Sequence, residues 1–541
     1  GNPPWEIHKP NSREFFCRYD PDYWQYGKQQ ALQRQKELFI QYPELECEWN
    51  ECLRQYKSFT AWIKGSSRAT AGGEERLTRP FRLQGSADTN AYKLFLEQAH
   101  NLLRDGGCLG FVVPSGIYSD LGAKRLRETF LTECRWLELV GFENREAVFQ
   151  IHRSFKFFVL VVRKGGATEE IAASFHFPHK WIGYPLAAIR RLNPRSLSLC
   201  EFDDRRDLEL LERIYDRCAP LVSESRQIEF EREFDMTNDS KLFGPRPAFA
   251  AQGYVQDQYG HWLLGGWKEG ARASSPASSD TSLGARASSP ASSDEPVQPD
   301  DLILSADGSL QIRVQDIEHV ALPLYEGRMV GQFDFSQKGW VSGKGRRAQW
   351  TENSATTLSP QYLLPVQHYP RWHEVQPLKC GFLAVGAATN VRSMIASALG
   401  NLPCGNSILV FRTGSDIDTL LLAAFMNSFV FDFALRCRLT GCNLNYFLVG
   451  ECPLPAAVEM RRWNDLALIA AALNLNHISF AETWMTLARA FGLKHAHWST
   501  TTEQRILLRA ILDAAVACAY GLNAGDLDWI LRGCAGATEL N

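Results

Sequence analysis

Between Asn90 and Lys164, short apolar runs alternate with amphipathic helical stretches, and this alternation restricts the fold more than any other feature of the chain. The stretch AYKLFLEQAHNLL has helical spacing, the DGG after it marks a turn, and CLGFVVPS is a continuous apolar run of strand length. A second helical pattern, GAKRLRETFLTE, leads into the strand candidates WLELVGF and FKFFVLVVRK. Continuous apolar strands separated by helices predict an α/β fold with a largely parallel sheet covered on both faces. Upstream, residues 21–64 carry aromatic and Leu residues at helical spacing among charges, which predicts a helical pair inside an insert over about 11–85.

The pattern changes after residue 185. Residues 186–460 hold many aromatics, Pro and Gly, with short strand candidates GFLAV and SILVFR, and predict an α+β region. GARASSPASSD occurs twice, at 270–280 and 284–294. Its Ser/Ala/Pro composition cannot build a core, so a disordered insertion is expected over about 270–298. From residue 461 the chain reads as helical again in AETWMTLARAF, TEQRILLRAILDAAVACAYGL and AGDLDWILRG, the last with an Asp near its N-terminus. Three regions result, 1–185, 186–460 and 461–541, in keeping with roughly 150 residues per domain.

Composition narrows the function classes. The 58 basic and 61 acidic residues give a formal charge of −3, so any nucleic-acid contact must come from a local patch. The chain has no run of about 18 apolar residues, and the opening GNPPWEIHKP has neither the charged nor the apolar part of a signal peptide, so no membrane partner is expected. Fourteen Cys without a Cys-x-x-Cys pair argue against a zinc ribbon and a disulfide scaffold and predict a reducing, cytoplasmic compartment. His176-Phe-Pro-His179 and His495-Ala-His497 lack helical ligand spacing and companion Cys, so no metal site is expected. Nor is a nuclease centre expected, since Asp239-Ser-Lys241 has no suitably spaced acidic partner.

Asn2-Pro3-Pro4-Trp5 carries the sharpest chemistry. The exocyclic amine of adenine is a poor nucleophile because its lone pair is conjugated into the ring. A site that accepts both amine hydrogens, one at the Asn oxygen and one at a main-chain carbonyl held by rigid prolines, favours the pyramidal amine that forms as a methyl group arrives. The aromatic at the fourth position offers a stacking face to a base drawn out of its duplex. The other reading of the same four residues is an Asn-Pro turn followed by a buried Trp.

The ordered segments around this motif resemble the Eco57I-like DNA adenine amino-methyltransferases of restriction-modification systems. N-P-P-aromatic is followed by AYKLFLEQAHNLLRDGGCLGFVVPSGIYSDLGAKRLRETFL, then REAVFQIHRSFKFFVLVVRKG, EFDMTNDSKLF and PLYEGRMVGQFDFS, each similar to a segment of that family in the same order. The resemblance implies part of a Rossmann-like class I methyltransferase sheet, then a target-recognition region and a helical tail. It implies S-adenosyl-L-methionine as cofactor and double-stranded DNA as partner. Carried over by position, Asn2 and Pro3 would hold the adenine amine, with Pro4 completing the rigid turn and Trp5 stacking on the base. Phe149 would close the opposite face, with Phe155 as its rival, and Phe95 would touch the cofactor adenine unless it packs in the core.

In that family the cofactor pocket is built by strands and a Gly-rich turn that precede N-P-P-aromatic, which here begins at residue 2. Gly106-Gly107 closes a helical pattern, and the Gly343-Lys-Gly345 loop does not follow a strand and open a helix. The expectation is a C-terminal part whose cofactor half lies elsewhere, in a missing N-terminal half or another restriction-modification subunit. For DNA contact the candidates are Lys344, Arg346 and Arg347 beside Trp350, then Arg371 with Trp372, then Arg436, Arg438 and the 441–445 turn; a solvated loop is the alternative. Two rival functions share these residues: a DNA-specificity subunit without catalysis, and methylation of a protein glutamine or RNA. Calorimetric titration of this chain with S-adenosylmethionine is expected to show weak or no binding, and a micromolar constant would place the pocket within it.

Overall fold

The computed structural model describes residues 1–64, 81–85, 88–150, 152–153, 155–176, 180–224, 226–269, 298–353, 357–374, 378–495, 498–499 and 501–533. The Ser-Ala-Pro repeat, His179 and His497 lie outside the described residues. The chain forms two compact units, Gly1–Glu212 and Arg213–Asn541.

In the first unit, α1 (Ser12–Phe16), α2 (Lys28–Gln41) and α3 (Pro43–Lys64) form the expected helical insert. Their apolar stripes meet in a core of Phe16, Tyr23, Leu38, Leu45 and Trp49. Next come α4 (Ala91–Leu102), β1 (Cys108–Pro114), α5 (Gly116–Ser119), α6 (Lys124–Thr132), β2 (Cys134–Glu143) and β3 (Lys156–Lys164). β4 (Glu170–Ser174), β5 (Ile182–Pro185) and α7 (Leu186–Leu192) close the unit. Asn90 caps α4 by accepting the Tyr92 N–H, and Lys164 Nζ donates to the carbonyls of His100 and Leu103 at its other end.

The sheet order is β1-β3-β2-β4-β5. β1 and β2, joined through α6, do run parallel, but β3 lies between them and antiparallel to both. Only β2 and β4 pair in parallel, and β5 returns antiparallel. The largely parallel sheet read from the sequence is therefore corrected to a mixed one. A continuous apolar run reports that a strand is buried, not which way it runs. The two faces differ in their cover. α5 and α6 pack on the face bearing Phe158, Leu160 and Val162, where Tyr118 meets Phe158 and Phe130 meets Trp136. On the other face Val112, Val140, Val159 and Val161 remain half-exposed.

The compact units divide at 212/213, whereas the sequence reading placed a boundary at 185/186. The segment after α7 is bound into the first unit by polar contacts that composition does not announce. Arg127 donates to Ser196 O at 2.7 Å, and Leu199 N donates to Tyr118 O at 3.0 Å. Glu201 accepts from the Tyr118 hydroxyl and from Lys156 Nζ, each at 2.6 Å.

The second unit holds a five-stranded sheet in which Ile317–Pro323 lies between Tyr362–Pro365 and Trp262–Gly265, and a four-stranded sheet centred on Lys379–Leu383 and Ile408–Arg412. These last two strands are the predicted GFLAV and SILVFR. Buried Glu233 anchors the smaller sheet, accepting from Lys379 Nζ at 2.7 and 2.8 Å, Arg412 Nη2 at 2.6 Å and Cys404 N at 2.7 Å. The edge strand Ala396–Leu399 is completed by two buried amides. Asn427 exchanges hydrogen bonds with the backbone of Ala396, and Asn474 does the same with Ala398. Asn474 ends the helix Asp465–Asn474, so the boundary read at 460/461 is no break in packing. Among the described residues no single helix is long and apolar enough to cross a membrane.

His176 gives the first unit a pH dependence. Its Nδ1 lies 2.7 Å from Asp203 Oδ1 and its Nε2 3.4 Å from Glu201 Oε2. Asp203, then Glu201, raise its pKa from 6.5 to about 9 against the effects of burial and of the Lys156 ammonium, whose Nζ lies 3.3 Å from Nε2. Burial pushes the Glu201 carboxyl up, but His176, Lys156 and Tyr118 outweigh it and hold it below the usual range. Because the folded value lies above the unfolded one, the imidazolium stabilises the fold fully below pH 6.5, and this contribution is lost as pH rises through about 9. The urea midpoint should fall more across that window in the parent protein than in His176→Gln, and an imidazole NMR midpoint near 6.5 would contradict the assignment.

Candidate active site

The N-P-P-W segment is placed by β1. The Gly1 amine donates to Gly110 O at 2.6 Å and the Gly1 carbonyl accepts from Val112 N at 2.8 Å, so the segment runs along the outer edge of the strand. Pro3 is buried, Asn2 and Pro4 are exposed, and Trp5 is half-buried with its indole N–H 3.4 Å from Val112 O. The Asn2 amide makes no side-chain hydrogen bond among the described residues. Beyond Trp5, Ala91 N donates to Glu6 O and His8 N to Thr89 O, while the His8 ring sits between Tyr56 and Phe59 of α3. The helical insert thus braces the chain leaving the motif.

Phe149 reaches Trp5 from the loop between β2 and β3. The ring centroids are 5.3 Å apart at 58°. Phe157 meets Phe149 edge-on at 4.9 Å and stacks on Phe142 at 5.4 Å, giving the pair an aromatic floor. Phe155 makes no ring contact among the described residues; it is 45% exposed, and its carbonyl accepts the Asn144 N–H. Phe95 is 50% exposed on α4, so its ring lies outside the core.

The basic loop lies in the second unit, at the tip of a hairpin formed by Lys338–Ser342 and Gln349–Glu352, with Trp340 opposite Trp350. Gly343 and Gly345 have φ of +79° and +56°, and the tip turns through them. Lys344 and Arg347 are exposed; the Arg346 side chain lies outside the described atoms. Two further cations, invisible to motif reading, border the hairpin. The Arg246 guanidinium sits 5.1 Å over the Trp340 ring and donates to Trp340 O, and Arg328 donates to Ala348 O at 3.2 Å.

The other proposed DNA contacts are engaged internally. Arg371 lies 3.3 Å from Glu231 and 3.4 Å from Glu374. Arg436 pairs with Asp432 at 2.6 Å and donates to the carbonyls of Ala388, Asn390 and Val391. Arg438 is buried, donating to Ala434 O and the Tyr215 hydroxyl. All three guanidiniums hold carboxylates or carbonyls, which leaves each fewer donors for a phosphate. Asp239 of the Asp-x-Lys match accepts the Asp235 N–H and serves a local turn.

The first unit is thus a mixed α/β body with an aromatic pair and an Asn-Pro-Pro turn at one end of its sheet. Residues 74–149, which span α4 through Phe149, match the family described as Eco57I restriction-modification methylase. The resemblance read from the sequence names the same family. Among solved structures the chain is similar to the type IIG restriction endonuclease BpuSI, with 11% identity over 80% of this chain and 50% of that one, and a TM-score of 0.25. It is also similar to the type IIL restriction-modification enzyme MmeI in complex with DNA, with 9% identity, 84% and 53% coverage and a TM-score of 0.34. A chain from a type I R-M system assembly matches 17% of this chain and 19% of its own length at 25% identity, with a TM-score of 0.15. The chain spans about half the length of the type IIG and type IIL enzymes it matches. No curated protein matches it.

The division between paired and unpaired arginines is measurable. Arg371→Ala should lower the thermal midpoint because it strips Glu231 and Glu374 of a partner, whereas Arg347→Ala should change the unfolding free energy by no more than about 0.5 kcal/mol, as usual for a surface change, and leave the midpoint nearly unmoved.

Proposed function

We propose that the chain is the part of a site-specific DNA adenine-N6 methyltransferase, in a restriction-modification system that serves phage defence, which grips the target base and contacts the duplex. The observation that carries this reading is the meeting of Trp5, three residues after an exposed Asn2, with Phe149, which lies 144 positions further along the chain. The match over residues 74–149 supports it.

Trp5 and Phe149 are the two faces between which an extruded adenine is held. The Asn2 side-chain oxygen accepts one amine hydrogen and the Pro3 main-chain carbonyl the other, drawing the nitrogen lone pair out of conjugation. The prolines fix that carbonyl before substrate arrives. Bound S-adenosyl-L-methionine supplies an electrophilic methyl group; Phe95 is the ring this chain offers to it, and the fit rests on that exposed aromatic alone. Lys344, Arg346 and Arg347 contact phosphates of double-stranded DNA, with Arg246 and Arg328 beside them.

The test uses the complete protein on unmethylated phage DNA. Asn2→Ala should lower kcat by roughly 100-fold with DNA affinity little changed, as for loss of one preorganised transition-state contact. Trp5→Ala should weaken capture of the base, with partial rescue by a mismatch at the target adenine. Methyl groups found on glutamine or RNA, or full turnover by Trp5→Ala, would overturn the reading. In duplex binding, Arg346→Ala with Arg347→Ala should reduce the salt slope by roughly 1 to 2 units, while Arg371→Ala leaves it unchanged.

A further inference from the structure

The loop that carries Phe149 is organised by one residue with no catalytic chemistry of its own. Asn144, at the end of β2, is fully buried. Its Nδ2 donates to Phe149 O at 3.0 Å, and its Oδ1 accepts from Phe149 N at 2.9 Å. Its main-chain N–H donates to Phe155 O at 2.9 Å, and its carbonyl accepts from Ala147 N at 2.9 Å. One residue therefore ties the outgoing limb of the loop at 149, the returning limb at 155 and the bend at 147. Ala147 stands at φ +55°, a left-handed conformation that costs an L residue about 1 kcal/mol or more and persists where its surroundings hold it.

Only a side chain with a donor and an acceptor at this reach can satisfy both backbone groups of Phe149. Asp keeps the acceptor and loses the donor; Ala loses both and leaves two polar groups of the loop without their partner. With both polar main-chain atoms held, the freedom left to Phe149 is in its two side-chain torsions.

We propose that Asn144 is a positioning residue that sets Phe149 against Trp5, and so fixes one wall of the base-holding slot. Its functional weight rests on the reading of Trp5 and Phe149 given above. The chemistry recognised is the flat face of a purine, and a displacement of Phe149 by about 1 Å is enough to cost up to 100-fold in turnover.

Two measurements on the complete protein separate this proposal from the reading beneath it. With 4-fluorophenylalanine at position 149, Asn144→Ala should shift and broaden the fluorine NMR signal; an unchanged signal overturns the positioning role whatever the enzyme does. Methylation of phage DNA by Asn144→Ala, Phe149→Ala and the double variant closes a cycle. Each single change should lower kcat by about tenfold or more, and the double variant should be no worse than Phe149→Ala alone. Fully additive losses would mean that Asn144 acts independently of Phe149 and would overturn the proposal. If Phe149→Ala turns over normally while the fluorine signal still moves, the slot reading fails and the positioning stands. Should Asn144→Ala not fold, Asn144→Asp gives the same comparisons, since it keeps one of the two bonds.

Discussion

Because β3 runs antiparallel between β1 and β2, the loop that feeds it must turn back at the end of the sheet where β1 also finishes. Phe157 opens β3 in register with Phe142 on one side and Pro114 on the other, so its ring forms a floor at that end. Trp5 arrives along the outer edge of β1 and Phe149 arrives from the β2–β3 loop, and both come down on Phe157. A parallel β1–β2 pair without the inserted strand would leave no floor between them. The aromatic pair depends on strand order before it depends on any side chain.

The same economy recurs wherever the backbone would otherwise be left unpaired. Asn144 takes both polar groups of Phe149, Asn427 those of Ala396, and Asn474 those of Ala398. A buried amide side chain mimics a peptide group, presenting one donor and one acceptor side by side. In the second unit this device seals a sheet edge against a helix; in the first it shapes a loop. Losing such a residue costs more than its net hydrogen bonds, since each orphaned buried group carries a desolvation penalty of about 1–3 kcal/mol.

The periodic elements were legible. CLGFVVPS became Cys108–Pro114 and AETWMTLARAF became Ala481–Phe491, since continuous apolar runs and helical spacing survive in any tertiary setting. The Asp of AGDLDWILRG does sit near its helix start, where Asp526 completes a capping box with Asn523. What stayed hidden was relational. Strand direction, the half-exposed second face and the extension of the first unit to Glu212 depend on which partners meet across the chain. Within the site, Asn2 to Trp5 and Phe149 stood out as motif residues. Asn144, Arg246 and Arg328 did not, because a lone Asn or Arg carries no spacing signal. The basic residues show the same limit. Arg371, Arg436 and Arg438 look alike in sequence to Lys344 and Arg347, and only their carboxylate and carbonyl neighbours tell them apart.

The distance between Trp5 and Phe149 adds a last step. A base held between two rings separates them by roughly twice a van der Waals contact, about 7 Å, whereas these centroids stand 5.3 Å apart and tilted. On the proposed reading the pair is closed on itself, and a base must replace the contact between the rings. That contact is worth about 0.5–1.5 kcal/mol, and stacking a base on an aromatic side chain returns about 1–3 kcal/mol. The exchange is favourable or near neutral at the slot itself. With both main-chain atoms of Phe149 held by Asn144, the opening that the exchange needs is a swing of one ring and not a rearrangement of the loop. On the same reading, a closed, self-paired slot shields its aromatic faces from water until a base competes for them, and the buried amide holds the main chain of Phe149 through that exchange.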